Sequence, residues 1–353
     1  MFARLGIQMP NADLPISHAT HLIPYVRFLD RIGAPVESAL EQMHLPGGLL
    51  STPDCYVPTA SLFGFIGRGA RKEGIDDLGF RVAYEEGLGL LGPTLAAKVR
   101  ESPTLLHALQ TFCRLVNGQA SQFWTWIVED RDEMRVHIHR TFEPGVLGYT
   151  QTEWIGVMGV VTIVQLFAGP RWQPSRISLG TKSPVPKSPM EVFGDTEFLT
   201  RQPEVYIAFP RSTLSLRRCQ HSGDSRFDPP GAVSHVYSSK EPEADFTGRL
   251  MQCLEPHFLD GYPPVTLAAE IAGTSVRTLQ RRLADRGSSY SEVVDRARFD
   301  VASRMLTETD APSIQIAQAT GYGDPSHFAR AFRRLTGLSP SEYRSQAARV
   351  EAE

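Results

Sequence analysis

Two stretches near the carboxyl end, AEIAGTSVRTLQRRLADRG at residues 269–287 and GYGDPSHFARAFRRLTGLSPSEYR at residues 321–344, follow one pattern. Ala269 and Gly273 recur 48 residues later as Ala317 and Gly321, and Leu279, Arg281 and Leu283 recur 49 residues later as Phe328, Arg330 and Phe332. Each copy predicts helix, tight turn, helix. The small alanine lets two helices approach closely, and the glycine four residues on takes the positive φ of the turn without a Cβ penalty. Ser275 is placed to cap the second helix of the first copy; Asp324, with Pro325 at the first helical position, does so in the second. Leu279 with Leu283, and Phe328 with Phe332, share a face at i, i+4 spacing and are expected to point inward. Between the copies, residues 288–307 carry Tyr290, Val293 or Val294, Ala297, Val301 and Met305 or Leu306 at helical spacing. At about 1.5 Å per residue that helix is roughly 30 Å long.

The outward faces of the two second helices carry Arg277, Thr278, Gln280 and Arg281, and Ser326, His327 and Arg330. Arginine bonds guanine O6 and N7 bidentately, glutamine does the same to adenine, and Ser, Thr and His read base edges less specifically. Arg282, Arg286, Arg333 and Arg334 flank them and suit phosphate contacts, which set register and affinity. From Asp245 onward there are thirteen arginines and no lysine, a bias that favours the planar, fork-shaped donor. An ordinary solvated helical face is the plain alternative, and the matching of two units argues against it. A helix of roughly 30 Å is close to one DNA turn of about 34–36 Å, so a single chain is expected to read two half-sites.

These residues resemble a known family: residues 267–344 are similar to the DNA-binding domain of AraC/XylS-type transcription regulators. The match is strongest over residues 321–344. In the first copy Leu283 stands where the family usually has phenylalanine, one core filler for another. The resemblance implies base contacts at Arg277, Gln280, Arg281, Ser326, His327 and Arg330, double-stranded promoter DNA as partner, contact with RNA polymerase, and activation as the sign of control. Residues 78–116, LGFRVAYEEGLGLLGPTLAAKVRESPTLLHALQTFCRLV, resemble the effector domain of the "arabinose-binding" AraC-type subgroup, which includes ornithine-utilisation and virulence regulators. That likeness implies a domain that binds a small organic effector, not necessarily a sugar, or mediates homodimerisation, and so controls how the other domain engages promoters.

The rest of the chain fits two folded domains. Its 353 residues, 41% hydrophobic and 21% charged, supply apolar surface for more than one core. The formal charge of -3 gives no whole-chain attraction for a polyanion, so a nucleic-acid surface has to be local. Cys55, Cys113, Cys219 and Cys253 lie far apart with no C-x-x-C pair, which points to a reducing compartment. Residues 1–12 contain no apolar signal-peptide core, and the most hydrophobic run, residues 154–168, reads as a buried helix too short to span a bilayer. A cytoplasmic protein without a membrane partner is expected. The Ser-, Pro- and Gly-rich stretch around residues 216–244 reads as a linker. It separates an effector-binding and dimerisation domain, residues 1–215, from a DNA-binding domain, residues 245–345.

The expected fold class is thus an α+β amino-terminal domain followed by an all-α domain with two helix-turn-helix motifs joined by a long helix. In the first domain, helical spacing marks residues 21–30, 59–69 and 104–116, the last with Ser102-Pro103 as its expected start. Alternation with period two over residues 123–128 and 134–139, around Asp130-Arg131-Asp132, predicts a hairpin. A long apolar helix at 146–167, a strand at 177–180, a short helix near 189–193 and a strand at 205–209 complete it. Trp124, Trp126, His139 and Trp154, with Trp172, are candidates to line an effector pocket, since such pockets are apolar with a few polar groups; core packing competes for each. His137 and His139 share a strand face but lack a third ligand nearby, so no metal is expected. Gly87, Gly89 and Gly92 satisfy G-x-G-x-x-G, yet Pro93 follows at once and no acid sits about 20 residues on, so they read as a turn needing positive φ. No H-E-x-x-H, G-x-S-x-G or P-loop occurs, and neither cofactor nor catalysis is expected. Two other functions fit parts of the pattern: a DNA-tethered enzyme acting on a small metabolite through its first domain, and a nonspecific architectural DNA protein.

Overall fold

The computed structural model describes residues 14–50, 54–217 and 241–350. Most of the expected linker lies outside the described residues. The elements run β1 (Ile16–His18), α1 (Ile23–Arg31), α2 (Val36–Glu41), β2 (Tyr56–Pro58), α3 (Thr59–Glu73), α4 (Leu78–Glu86), α5 (Gly92–Arg100), α6 (Leu105–Val116), β3 (Phe123–Asp130), β4 (Glu133–Arg140) and α7 (Tyr149–Ala168). Then follow β5 (Arg176–Ser178), α8 (Lys187–Val192), β6 (Glu197–Leu199), β7 (Val205–Pro210), α9 (Phe246–Leu254), α10 (Val265–Ile271), α11 (Val276–Ala284), α12 (Tyr290–Glu308), α13 (Ser313–Ala319), α14 (Pro325–Thr336) and α15 (Pro340–Val350). The chain divides into two compact units.

One unit, Pro15–Leu45 with Thr59–Pro242, is α+β. Its five-stranded sheet has the order β3-β4-β7-β5-β6, antiparallel except for the β5–β6 pair. Alternation decides which side chains meet the core. Met134, Val136 and Ile138 of β4 and Val205, Ile207 and Phe209 of β7 pack into one apolar cluster with α7. The central helix α7 is buried over most of its length, with α4 and α6 against it as well as the sheet. Its 20 residues are long and apolar enough to cross a membrane by length and composition, which corrects the expectation that the run is too short; 89% of its apolar window is buried within the protein.

The hairpin, the strands near 177 and 205 and the apolar helices stand where periodicity placed them, with two shifts at helix starts. The residue before α7 is Gly148 at φ 86, left-handed backbone that cannot continue a helix back to residue 146. Helix α6 is capped by Thr104, not Ser102: Thr104 has extended backbone and its side chain accepts the His107 N–H at 3.3 Å. Ser102 instead donates to the Lys98 carbonyl at 3.0 Å. Gly87 and Gly92 adopt φ 57 and φ 71 at either end of a single 3-10 turn, the backbone the glycine-rich pattern required.

The other unit, Glu243–Glu353 grouped with Pro46–Pro58, is helical throughout residues 246–350 apart from its turns. Here β2 packs on α9, so a short segment distant in sequence completes this unit. Two helix pairs, α10–α11 and α13–α14, flank α12, whose 19 residues extend for about 28 Å. A capping box starts α12: the Ser289 N–H donates to Glu292 Oε2 at 2.7 Å while the Glu292 N–H donates to Ser289 Oγ at 3.3 Å. Near its other end Arg344 of α15 donates to the Leu306 carbonyl (3.2 Å), an acceptor the helix terminus leaves open, and to the Ala311 carbonyl (2.6 Å) in the loop that follows.

The two turn glycines share left-handed backbone, φ 60 at Gly273 and φ 71 at Gly321, but not surroundings. A Cβ on Gly273 meets nothing within 4 Å, whereas one on Gly321 falls 2.7 Å from the Gly261 carbonyl oxygen and 2.9 Å from that of Phe258. Gly273→Ala is therefore expected to cost about 1 kcal/mol, the left-handed penalty alone. Gly321→Ala is expected to cost about 2 to 4 kcal/mol, because overpacking against backbone is added. Urea unfolding followed by circular dichroism checks the ranking.

Candidate nucleic-acid interface and inner cavity

Each helix pair buries one face of its second helix and exposes the other. Leu279 and Leu283 of α11 are fully buried, as are Phe328 and Phe332 of α14 but for a few per cent. Phe332 packs tilted against Phe299 of α12 at 5.4 Å between ring centroids, and edge-on against Tyr343 at 5.3 Å. With these rings inside, Arg277, Gln280 and Arg281 on α11 and Ser326, His327 and Arg330 on α14 are exposed. Among the described residues, none partners Arg277, Gln280, Arg281 or Arg330. Thr278 is half-buried and its hydroxyl shares a 2.9 Å hydrogen bond with Ser275, whose Oγ also accepts the Thr278 N–H at 3.2 Å. In α14 the Asp324 carboxylate accepts the Ser326 N–H at 2.5 Å and the His327 N–H at 3.4 Å, bonds that hold its pKa below the usual carboxylate range. The two expected caps are thus in place and fix the angle at which each second helix leaves its turn.

The flanking arginines divide by surroundings. Arg282 and Arg286 lie over the Phe246 ring, at 5.6 Å and 5.3 Å from its centroid, so part of each side chain packs on α9. Arg333 and Arg334 are exposed, and Arg334 stands 3.8 Å from Asp295 in a loose surface pair. Arg298 lies on α12 and turns inward. Its Nη2 donates to the Gly321 carbonyl at 2.9 Å, and its guanidinium stacks over Tyr322 at 4.5 Å and Tyr262 at 4.9 Å. This arginine ties the connecting helix to the second turn.

In the α+β unit the sheet separates Trp124, Trp126 and His139 from the interior. Trp124 and Trp126 alternate with Phe123, Thr125 and Ile127, and their cross-strand partners are His139 and His137. Trp126 stacks on His137 at 5.2 Å and His137 meets Tyr206 at 5.4 Å, an aromatic row on the face away from the apolar cluster. Trp154 is buried in the cluster, edge-on to Phe80 at 5.1 Å. None of the five candidate pocket residues lines the cavity that this unit contains, which is partly open to solvent. Its walls include Leu62, Phe63, Phe112, Phe123 and Ile155, and its polar groups include His21, Arg140 and Thr152. Arg140 follows Met134, Val136 and Ile138 in the inward alternation of β4, and an arginine at that parity is the sequence signal that marks the cavity.

The chain combines an α+β unit with a helical unit that presents two capped helices joined by a long helix, the layout of a DNA-binding regulator. Residues 33–217 match the family described as the arabinose-binding domain of AraC transcription regulators, amino-terminal, and residues 268–346 match a helix-turn-helix domain family. The chain is 26% identical over 339 residues to the HTH-type transcriptional regulator VirS of Mycobacterium tuberculosis, covering 93% of this chain and 96% of that one. It is 42% identical over 83 residues to the ornithine utilization regulator of Pseudomonas aeruginosa, 24% of each chain. Over 102 residues it is 31% identical to the transcriptional activator NphR of Rhodococcus sp, 29% of this chain and 30% of that one. The chain belongs to the AraC-type family of DNA-binding transcription regulators.

His21 lines the cavity, and burial, reinforced by nearby His18, pushes its pKa down to about 4 against weaker opposing bonds to the Leu90 backbone and Gln119. Its folded pKa lies below the ordinary histidine value of 6.5, so the unfolded chain binds more protons between those values. Stability from this group is present above pH 6.5 and is lost as pH falls toward 4. The His21→Gln variant is expected to lose about 2 to 4 kcal/mol less stability than the wild type between pH 7 and pH 4, read by urea unfolding at each pH.

Proposed function

We propose that this regulator is cytoplasmic, reads two half-sites with one chain and activates transcription under control of a small organic effector. In this reading residues 1–215 form the effector-binding and dimerisation domain, 216–244 the linker and 245–345 the DNA-binding domain. The observation that carries it is the pair α11 and α14, each with an apolar face buried and unpaired donors exposed, joined by a helix of about 28 Å. That length suits two major-groove segments about one DNA turn apart.

Arg277, Thr278, Gln280, Arg281, Ser326, His327 and Arg330 are assigned to base edges. Phosphates fall to Arg282, Arg286, Arg333 and Arg334; the packing of Arg282 and Arg286 on Phe246 presets their guanidinium planes. The partners are promoter DNA, RNA polymerase and a second copy of the chain. The effector acts by binding one arrangement of the DNA-binding domains more tightly than another, since equal affinity shifts no population. Similarity to a named activator supports the positive sign.

Selection of duplex DNA from a random pool by the full-length protein tests this reading. Two short sequence blocks about one helical turn apart are expected. Arg281→Ala and Arg330→Ala should each degrade one block, at a cost of about 1 to 3 kcal/mol for the preferred base. Arg334→Ala should weaken all sequences evenly and lower the salt slope by about one. Equal behaviour of the three variants would overturn the division between readers and phosphate contacts.

A further inference from the structure

The cavity of the α+β unit has an unusual electrostatic composition. Its walls are mainly leucine, phenylalanine and isoleucine, yet Arg140 lines it with a side chain only 8% exposed. Nη1 of Arg140 donates to Thr152 Oγ1 at 3.1 Å, and the guanidinium lies 4.6 Å from the Tyr149 ring centroid. The other terminal nitrogen, Nη2, is buried and has no hydrogen-bond acceptor. The nearest carboxylate, Glu153, stands 3.8 Å away and already accepts the Gly180 N–H at 2.7 Å. Burial raises the Glu153 pKa, which makes it a weaker counter-ion still. A buried cationic donor without an acceptor is costly, and an anion that enters the cavity removes that cost.

The remaining polar groups narrow the chemistry. Ser17 and Thr59 share a 2.8 Å hydrogen bond, and Thr141 donates to Gln122, so these hydroxyl and amide groups are engaged with protein. Thr152 gives its own proton to the carbonyls of the first turn of α7. A sugar, with a hydroxyl on nearly every carbon, would leave most of them unpaired against Leu62, Phe63 and Phe112. A phosphate or other dianion would meet one guanidinium and no second cation in the lining. One positive fork at the edge of an apolar chamber matches one carboxylate on a hydrophobic body.

We propose that this cavity binds a small hydrophobic monocarboxylic acid, with its carboxylate on Nη2 of Arg140 and its body against Leu62, Phe63, Phe112, Phe123 and Ile155. The acid is the effector class of the regulator, and that consequence rests on the function proposed above. Its carboxylate competes with Glu153 for Arg140, so filling the cavity alters the join between β4 and α7. His21 Nδ1, buried at the same cavity without a partner, offers one further hydrogen bond.

Calorimetric titration of the full-length protein tests the site directly, with octanoate, octanamide, octylamine and arabinose as probes. Octanoate is expected to bind, and octanamide to bind roughly tenfold to a hundredfold more weakly through loss of the charged hydrogen bond. Arg140→Gln should weaken octanoate by a similar factor and erase the preference for acid over amide, while Arg140→Lys restores part of it. Ala120→Phe fills the cavity from its partly exposed wall and should abolish binding, which keeps the test decisive if Arg140→Gln does not fold. No binding of octanoate, equal binding of acid and amide, or tighter binding of arabinose would overturn the proposal. DNA retrieval in the presence of octanoate then separates the two readings. Arg140-dependent binding that leaves DNA affinity unchanged keeps the acid site and rejects effector control; intact DNA selection without octanoate binding rejects the acid and keeps the regulator.

Discussion

The hydrogen bond from Arg298 to the Gly321 carbonyl is the joint on which the helical unit depends. A buried guanidinium needs acceptors or aromatic faces, and Arg298 has both: the turn carbonyl in front and the rings of Tyr262, Tyr322 and Phe258 around it. The turn in its place needs a residue without Cβ, since Gly321 lies against the backbone of Phe258 and Gly261. Helix α12, capped at one end by its Ser289–Glu292 box and at the other by Arg344, therefore acts as a stiff spacer fixed to the second helix pair. The first pair lacks such a cage at Gly273. Two copies of one pattern thus differ in how firmly their turns are held.

The α+β unit is organised around a different buried arginine. Helix α7 fills the space beside the sheet, and its first turns bring Thr152 and Glu153 to the end of β4, where Arg140 lies. Apolar burial along α7 holds the charged groups there although their own pairing is loose, because hydrophobic packing over many residues outweighs one imperfect ion pair. The cavity follows from the same arrangement: the sheet end, α3, α6 and α7 converge around Arg140 without filling the space between them.

Legibility in the sequence followed the range of the interactions. The Ser275 and Asp324 caps, the glycine turns and the i, i+4 pairs involve neighbours within a few residues, so their spacing alone located both helix pairs and α12. The hairpin β3–β4 was readable because period-two alternation is local. Thr104 rather than Ser102 capping α6 was less so: both fit the composition of a cap, and the choice turns on which of them adopts extended backbone. The aromatic candidates Trp124, Trp126 and His139 lie on the face of the sheet opposite its apolar cluster, a matter of strand parity. The same parity places Arg140 inward.

The sequence by itself determined the fold class, the double helix-turn-helix unit and the faces its second helices expose, because periodicity, capping and turn chemistry act over one or two helical turns. Only the tertiary structure decided which arginines face solvent and which turn inward, from Arg281 and Arg330 at the surface to Arg298 and Arg140 inside. It also decided that Pro46–Pro58 completes the helical unit and that a cavity opens beside Arg140. Those outcomes depend on partners tens to hundreds of residues away, whose approach is set by packing and not by any local pattern.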